Sequence, residues 1–290
     1  MGGLLIAVAS AQGAAAEPLV LPPFKDALFA YPGLTAYRDD GAFVDVDYSE
    51  ARDIDQRDEI PERKAKRQYV STIASGQKAE QTLTTSAGPL AIATVGNHER
   101  PRAVVVFIHG RGGDHRLGMN DWTFGGNFNR LKNLMIGVDG LYVTADAGSF
   151  SSADGGRIEE LLKALSRRFG AAPLVLACGS MGGELCWSLA MQPFFGKAVD
   201  AFMVLGGNSS LERFRHMQAA AGHLIPMVLA HGTRDTVYPW ERQTRAFDEI
   251  RRAYPKEAIR FVSFDGGTHG TPIRMIDWRE ELNWLFARLD

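Results

Sequence analysis

The chain has 290 residues, 45% of them hydrophobic, which is enough for one large α/β domain with a sizeable core. Its net charge of -2, with both signs mixed along the sequence, gives no electrostatic basis for binding nucleic acid or an anionic membrane. The cysteines, Cys178 and Cys186, fall at a strand end and two turns into the helix that follows, a separation that predicts free thiols and no disulfide framework.

Residues 1–16 combine a short apolar core with Ala14-Ala15-Ala16 ahead of Glu17, the layout of a signal peptide, although no Lys or Arg precedes Leu4. The expectation is an exported protein, secreted or periplasmic. No other segment approaches the ~20 apolar residues of a membrane span. Residues 17–89 read as an N-terminal extension and first strands packed on a sheet. Within them lie Pro22-Pro23, an alternating run from Ala42 to Tyr48, and alternating charges from Glu50 to Arg67 that read as a solvated face. Segments 69–73, 81–85 and 90–95 read as strands, the last two joined by a hairpin turn at Ser86-Ala87-Gly88-Pro89, so the sheet is expected to start antiparallel.

From Arg102 onward, buried strands alternate with amphipathic helices, the signature of a mostly parallel central sheet with helices on both faces. Strands are expected at 103–108, 140–145, 174–177, 201–205, 226–230 and 259–264. Helices are expected around 128–135, 157–169, 183–191, 211–221, 240–253 and 276–288. No repeat or linker divides the chain, and residues 90–290 form the core of a single domain. In such sheets the site lies beyond the carboxyl ends of the strands, so the residues there are the candidates for chemistry.

The apolar run Leu174 to Ala177 leads through Cys178-Gly179-Ser180-Met181-Gly182 straight into the helical pattern after Gly183. A serine at the apex of such a strand-turn-helix corner is pushed out of the sheet edge, and small neighbours let the two backbones pass close together. Cys178 stands where the usual Gly-x-Ser-x-Gly pattern has its first glycine. After the first parallel strand comes His109-Gly110-Arg111-Gly112-Gly113-Asp114, whose glycines free the backbone to aim N–H groups at a developing oxyanion. That assigns the backbone amides of Arg111 and Met181, with His109 fixing the loop. His109, Asp114 and His115 lack the spacing of a known metal site. Asp235 follows the strand ending at Ala230, and His269 sits in the Gly-rich loop Gly266-Gly267-Thr268-His269-Gly270 after the last strand. Asp146, Asp154 and Asp265 are rival acids.

The order Ser180, Asp235, His269 on a parallel sheet, with an elbow and a His-Gly loop upstream, resembles the α/β-hydrolase family from about Leu90 to the end of the chain. The resemblance implies a Ser-His-Asp triad: Ser180 as nucleophile, His269 as general base then acid, and Asp235 as the carboxylate that sets the tautomer. It implies no metal and no organic cofactor. Only residues 206–224 separate two core strands where lids are often inserted, leaving room for one helix. No large lid is expected, as in the dienelactone hydrolase and phospholipase/carboxylesterase branches, and a serine at position 180 favours the esterase side. Trp122, Phe124, Tyr238 and Trp240 are candidates to wall an acyl or aryl pocket, and Arg111, Arg116 and Arg234 to attract a substrate anion. The expected activity is cleavage of a small-molecule or oligomeric carboxylic ester. Peptidase or acyltransferase chemistry on the same triad, and a non-catalytic binding protein on the same fold, remain as alternatives.

Overall fold

The computed structural model describes residues 19–256 and 258–289; the signal-like stretch 1–16 lies outside the described residues. The described part opens with α1 (Asp26–Phe29), β1 (Leu34–Arg38) and β2 (Phe43–Asp47), followed by a small hairpin of β3 (Asp58–Glu59) and β4 (Lys64–Ala65). A long hairpin comes next, β5 (Lys78–Thr85) and β6 (Gly88–Gly96). The alternating part then runs β7 (Val104–Ile108), α2 (His115–Met119), α3 (Asn127–Gly137), β8 (Leu141–Ala145), α4 (Ser152–Arg168) and β9 (Leu174–Gly179). It continues through α5 (Gly182–Ala190), α6 (Phe195–Ala198), β10 (Ala201–Leu205), α7 (Leu211–Ala221), β11 (Met227–Gly232) and α8 (Trp240–Ala253). The chain ends with β12 (Ile259–Asp265), α9 (Thr271–Met275) and α10 (Trp278–Phe286).

Apart from the β3–β4 hairpin, the strands form one sheet in the order β1-β2-β12-β11-β10-β9-β7-β8-β6-β5. It is parallel from β2 to β8 and antiparallel at both margins, where β1 meets β2 and where β5, β6 and β8 meet. The apolar runs are explained by burial on two faces. Val104, Val106 and Ile108 point into one core with α4, α5, α7 and α8, while Val105 and Phe107 point into the other with α3 and α10. The connection from β10 to β11 carries α7 alone, so it inserts no lid domain over the carboxyl ends of the strands.

Three expectations are corrected. Cys178 and Cys186 form a disulfide, with Cα atoms 6.6 Å apart. Counting along the sequence misleads here because the chain reverses at Ser180, and the second turn of α5 passes back over β9. Segment 69–73 is not a strand: 3-10 turns cover Arg67–Tyr69 and Ile73–Gln77. Between them the Asn129 side chain takes both the N–H and the C=O of Ser71, so the backbone there has no need of a strand partner. The charged run after Glu50 is only partly a solvated face. Asp53, Arg57 and Asp58 are buried in it, because the segment folds over α9 and Arg57 lies on the rings of Phe29 and Tyr69.

Candidate active site

The corner between β9 and α5 is built as the spacing of small residues requires. Ser180 has a φ of 49°, a left-handed conformation that costs a non-glycine residue strain and is held here by its surroundings. Its N–H donates to the Leu205 carbonyl on β10 (2.9 Å) and its carbonyl accepts from Gly183. A Cβ at Gly182 would come 2.4 Å from the His109 carbonyl, and one at Gly110 would come 2.9 Å from Ser180 Cβ. Side chains at either position would force the two strand-end loops apart. Cys178 is accommodated because its side chain turns away from this approach and into the core, toward Cys186.

Ser180 Oγ lies 2.7 Å from His269 Nε2, and His269 Nδ1 lies 2.8 Å from Asp235 Oδ2. A carboxylate only accepts, so Nδ1 carries the hydrogen and Nε2 is left as the acceptor for the serine hydroxyl. Residues on three separate strand-end loops thus form one hydrogen-bonded chain. The His269 loop is secured by Thr268, whose N–H donates to Thr271 Oγ1 (2.9 Å), and Pro272 opens α9 directly after it.

Asp235 follows β11 and its side chain is fully buried. Oδ1 accepts the backbone N–H groups of Val237 (2.7 Å) and Tyr238 (3.0 Å). Oδ2 accepts from His269 and also lies 3.0 Å from His231 Nε2. Burial works to raise this carboxyl's pKa; the hydrogen bonds from His231, His269, Tyr238 and Val237 outweigh it and hold the group well below the usual carboxylate range. The rival acids are engaged elsewhere: Asp146 with His115, Asp154 in the capping box of α4 with Ser151, and Asp265 with Thr233.

His109 is buried and bridges two loops, its Nε2 accepting from the Ala147 N–H (2.9 Å) and its Nδ1 lying 2.7 Å from the Gly110 carbonyl. This sets the course of the loop carrying Arg111. Among the described residues, neither the Arg111 nor the Met181 amide donates a hydrogen bond to a protein acceptor. Of the aromatic candidates, Tyr238 lies beside the site with its ring centroid 5.8 Å from that of His269, and Phe124 reaches within van der Waals range of a Cβ built on Gly270. Trp240 is drawn away: its indole N–H donates to Ser263 Oγ (2.9 Å) and its ring packs under α8. Trp122 is half-buried, with its carbonyl taken by the Ala65 N–H. Arg111, Arg116 and Arg234 are exposed, and Arg116 is tied to Asp114.

Asp114, His115 and Asp146 can each offer one ligand atom, all within 4.8 Å of one another. Asp114 is already committed to Arg116 and to capping α2, and Asp146 to the backbone and ring of His115. A cavity of about 1260 Å³ lies at the opposite end of the sheet, lined among others by Arg102, Phe169, Asp200 and Phe286. It sits at the strand starts, away from Ser180. His231 was the functional neighbour that the sequence left without a role; its only signal there was the four-residue spacing to Asp235.

No protein-family model matches the chain, and no curated protein matches it. Solved structures do. A feruloyl esterase module from Clostridium thermocellum, complexed with sinapinate, shares 14% identity at a TM-score of 0.58 over 78% of this chain and 94% of that one. An esterase from Pyrococcus furiosus shares 12% at a TM-score of 0.55 over 76% and 95%. Esterase 2 from Thermogutta terrifontis, phosphorylated by paraoxon, shares 16% at 0.51 over 73% and 92%. At such identities the likeness is one of fold, and together with the strand order it defines the α/β-hydrolase fold.

Proposed function

We propose that the protein is a serine hydrolase that cleaves a carboxylic ester through an acyl-enzyme. The observation that carries this reading is the continuous chain Ser180 Oγ, His269, Asp235, with distances of 2.7 and 2.8 Å, set on a strained left-handed serine. His269 takes the Ser180 proton as the hydroxyl attacks the carbonyl carbon, then gives it to the departing alcohol; water repeats the sequence to free the acid. Asp235, charged throughout, stabilises the imidazolium in between. The uncommitted amides of Arg111 and Met181 receive the oxyanion, a contribution worth about 3–4 kcal/mol per donor in comparable sites.

An ester is favoured over a peptide by the open approach left by the single-helix connection after β10, and by the esterases among proteins of like fold. Phe124 and Tyr238 provide apolar surface beside His269 for an acyl or aryl group. A disulfide in the core supports export to an oxidising compartment, secreted or periplasmic. Among the described residues no helix is long and apolar enough to cross a membrane.

A fluorophosphonate probe followed by peptide mapping tests the reading, together with a panel of esters of graded acyl length and a matching amide. The expected result is an adduct on Ser180, ester turnover, and a loss of several orders of magnitude in Ser180→Ala. Retention of near-full activity by that variant would remove Ser180 from the mechanism, and absence of both labelling and turnover would favour a binding protein.

A further inference from the structure

Asp235 Oδ2 is shared between two imidazoles, and the mechanism above uses only one. His231, at the end of β11, is buried to 2% exposure and places Nε2 3.0 Å from Asp235 Oδ2 and 2.7 Å from the Tyr238 carbonyl oxygen. Both neighbours can only accept, so Nε2 carries a hydrogen, which it donates to the Tyr238 carbonyl while facing Asp235 Oδ2 at ion-pair distance. We propose that His231 is a positioning residue of the hydrolytic site, holding the Asp235 carboxylate and the Tyr238 carbonyl from the end of β11 so that His269 meets Ser180 in register. The inference rests on the reading of Ser180, His269 and Asp235 as a catalytic relay.

The physical case has two parts. A carboxylate turns easily about its last torsion, whose energy profile is broad and roughly two-fold. The Val237 and Tyr238 amides fix Oδ1 from one side, and the His231 Nε2–H faces Oδ2 at 3.0 Å from the other, so the carboxylate is held with Oδ2 turned to His269. The same nitrogen also ties the Tyr238 carbonyl to the strand, and with it the ring that borders His269 at 5.8 Å. His231 therefore links the acid, the histidine and one wall of the site to a rigid strand rather than to a loop. The second part is electrostatic. The N–H dipole facing Oδ2 at 3.0 Å stabilises the carboxylate charge, so its removal leaves a more basic carboxylate that favours imidazolium. Among the described residues, the titratable and charged groups facing this cluster include His269 itself, Tyr238, and the Glu184–Arg213 ion pair of α5 and α7, whose charges act on Tyr238.

The test compares the wild type with His231→Leu, which lacks the donor, and His231→Gln, whose amide nitrogen can reach the same place. Hydrolysis of a p-nitrophenyl ester and fluorophosphonate labelling of Ser180 are followed across pH, with thermal unfolding to establish that each variant is folded. His231→Leu should lower kcat on the order of 10- to 100-fold, as loss of a group that orients a functional side chain does, and should move the acid limb of kcat/KM to higher pH. His231→Gln should recover most of kcat and return the limb. If His231→Leu does not fold, His231→Asn, whose amide falls short of both acceptors, takes its place with the same expectations. Equal rates and an unmoved limb in the donor-lacking variant, with the wild type labelled at Ser180, would overturn the role of His231 alone. A wild type that neither labels nor turns over would instead overturn the reading of the relay.

Discussion

At the scale of single residues, two buried carboxyl groups are handled in opposite ways. Asp235 is faced by four N–H groups, which hold its carboxyl well below the usual carboxylate range. Glu281, fully buried on α10, has its carboxyl pushed up to about 8 by burial first, with the charge of Glu280 adding and Arg260 and the Tyr31 hydrogen bond opposing. An unfolded Glu releases its proton near ~4.3. Between that value and about 8 the folded chain holds a proton that the unfolded chain has lost, so stability is greatest at the lower end and declines as pH rises through the window. Glu281→Gln removes the titration. Urea unfolding at about pH 6 and about pH 8.5 should show the variant losing less stability over that interval than the wild type. Equal losses would mean that Glu281 is ionised in the folded protein throughout.

At the scale of elements, the disulfide joins β9 to α5, the two that meet at Ser180. It closes a short loop, for which the chain-entropy relation gives about 2–3 kcal/mol of stabilisation. The double variant Cys178→Ala, Cys186→Ala should lower the urea midpoint accordingly while keeping the hydrolase fold, and a midpoint equal to wild type would show that packing alone holds the elbow. The same elements show what could be read in advance. Val104 to Ile108 and Leu174 to Ala177 were legible as strands because a strand covered on both faces has no position left for a polar side chain. The strand-end settings of Ser180, Asp235 and His269 were legible because turn residues punctuate the sequence there. The bridge, the turns around Ser71 and the burial of Asp58 were not, since each depends on a partner that only the tertiary fold supplies: a helix folding back, Asn129, and Arg274. Tyr238 and Trp240 looked alike as wall candidates, and only the reach of Ser263 to the indole separates them.

At the scale of the whole molecule, the N-terminal segment is fastened to the element that follows His269. Arg274 on α9 meets Asp58 at 2.6 Å, with both side chains buried, and also donates to the Asp53 carbonyl. Arg274→Met would leave the buried Asp58 carboxyl without the guanidinium bonded to it, a change that costs about 3–5 kcal/mol in comparable pairs. Thermal unfolding should register that loss, and adding Asp58→Leu should restore most of it; no recovery in the double variant would locate the role of Arg274 in its bond to Asp53 instead. The sheet carries the same joining of chain ends further. β2 pairs with β12, Phe43 beside Phe261, so β2 finds this partner only after β5 to β11 have been made. Until then β2 and β11, the two strands that flank β12, offer bare edges, and the interval is the one in which the nascent protein is most open to mispairing with another copy.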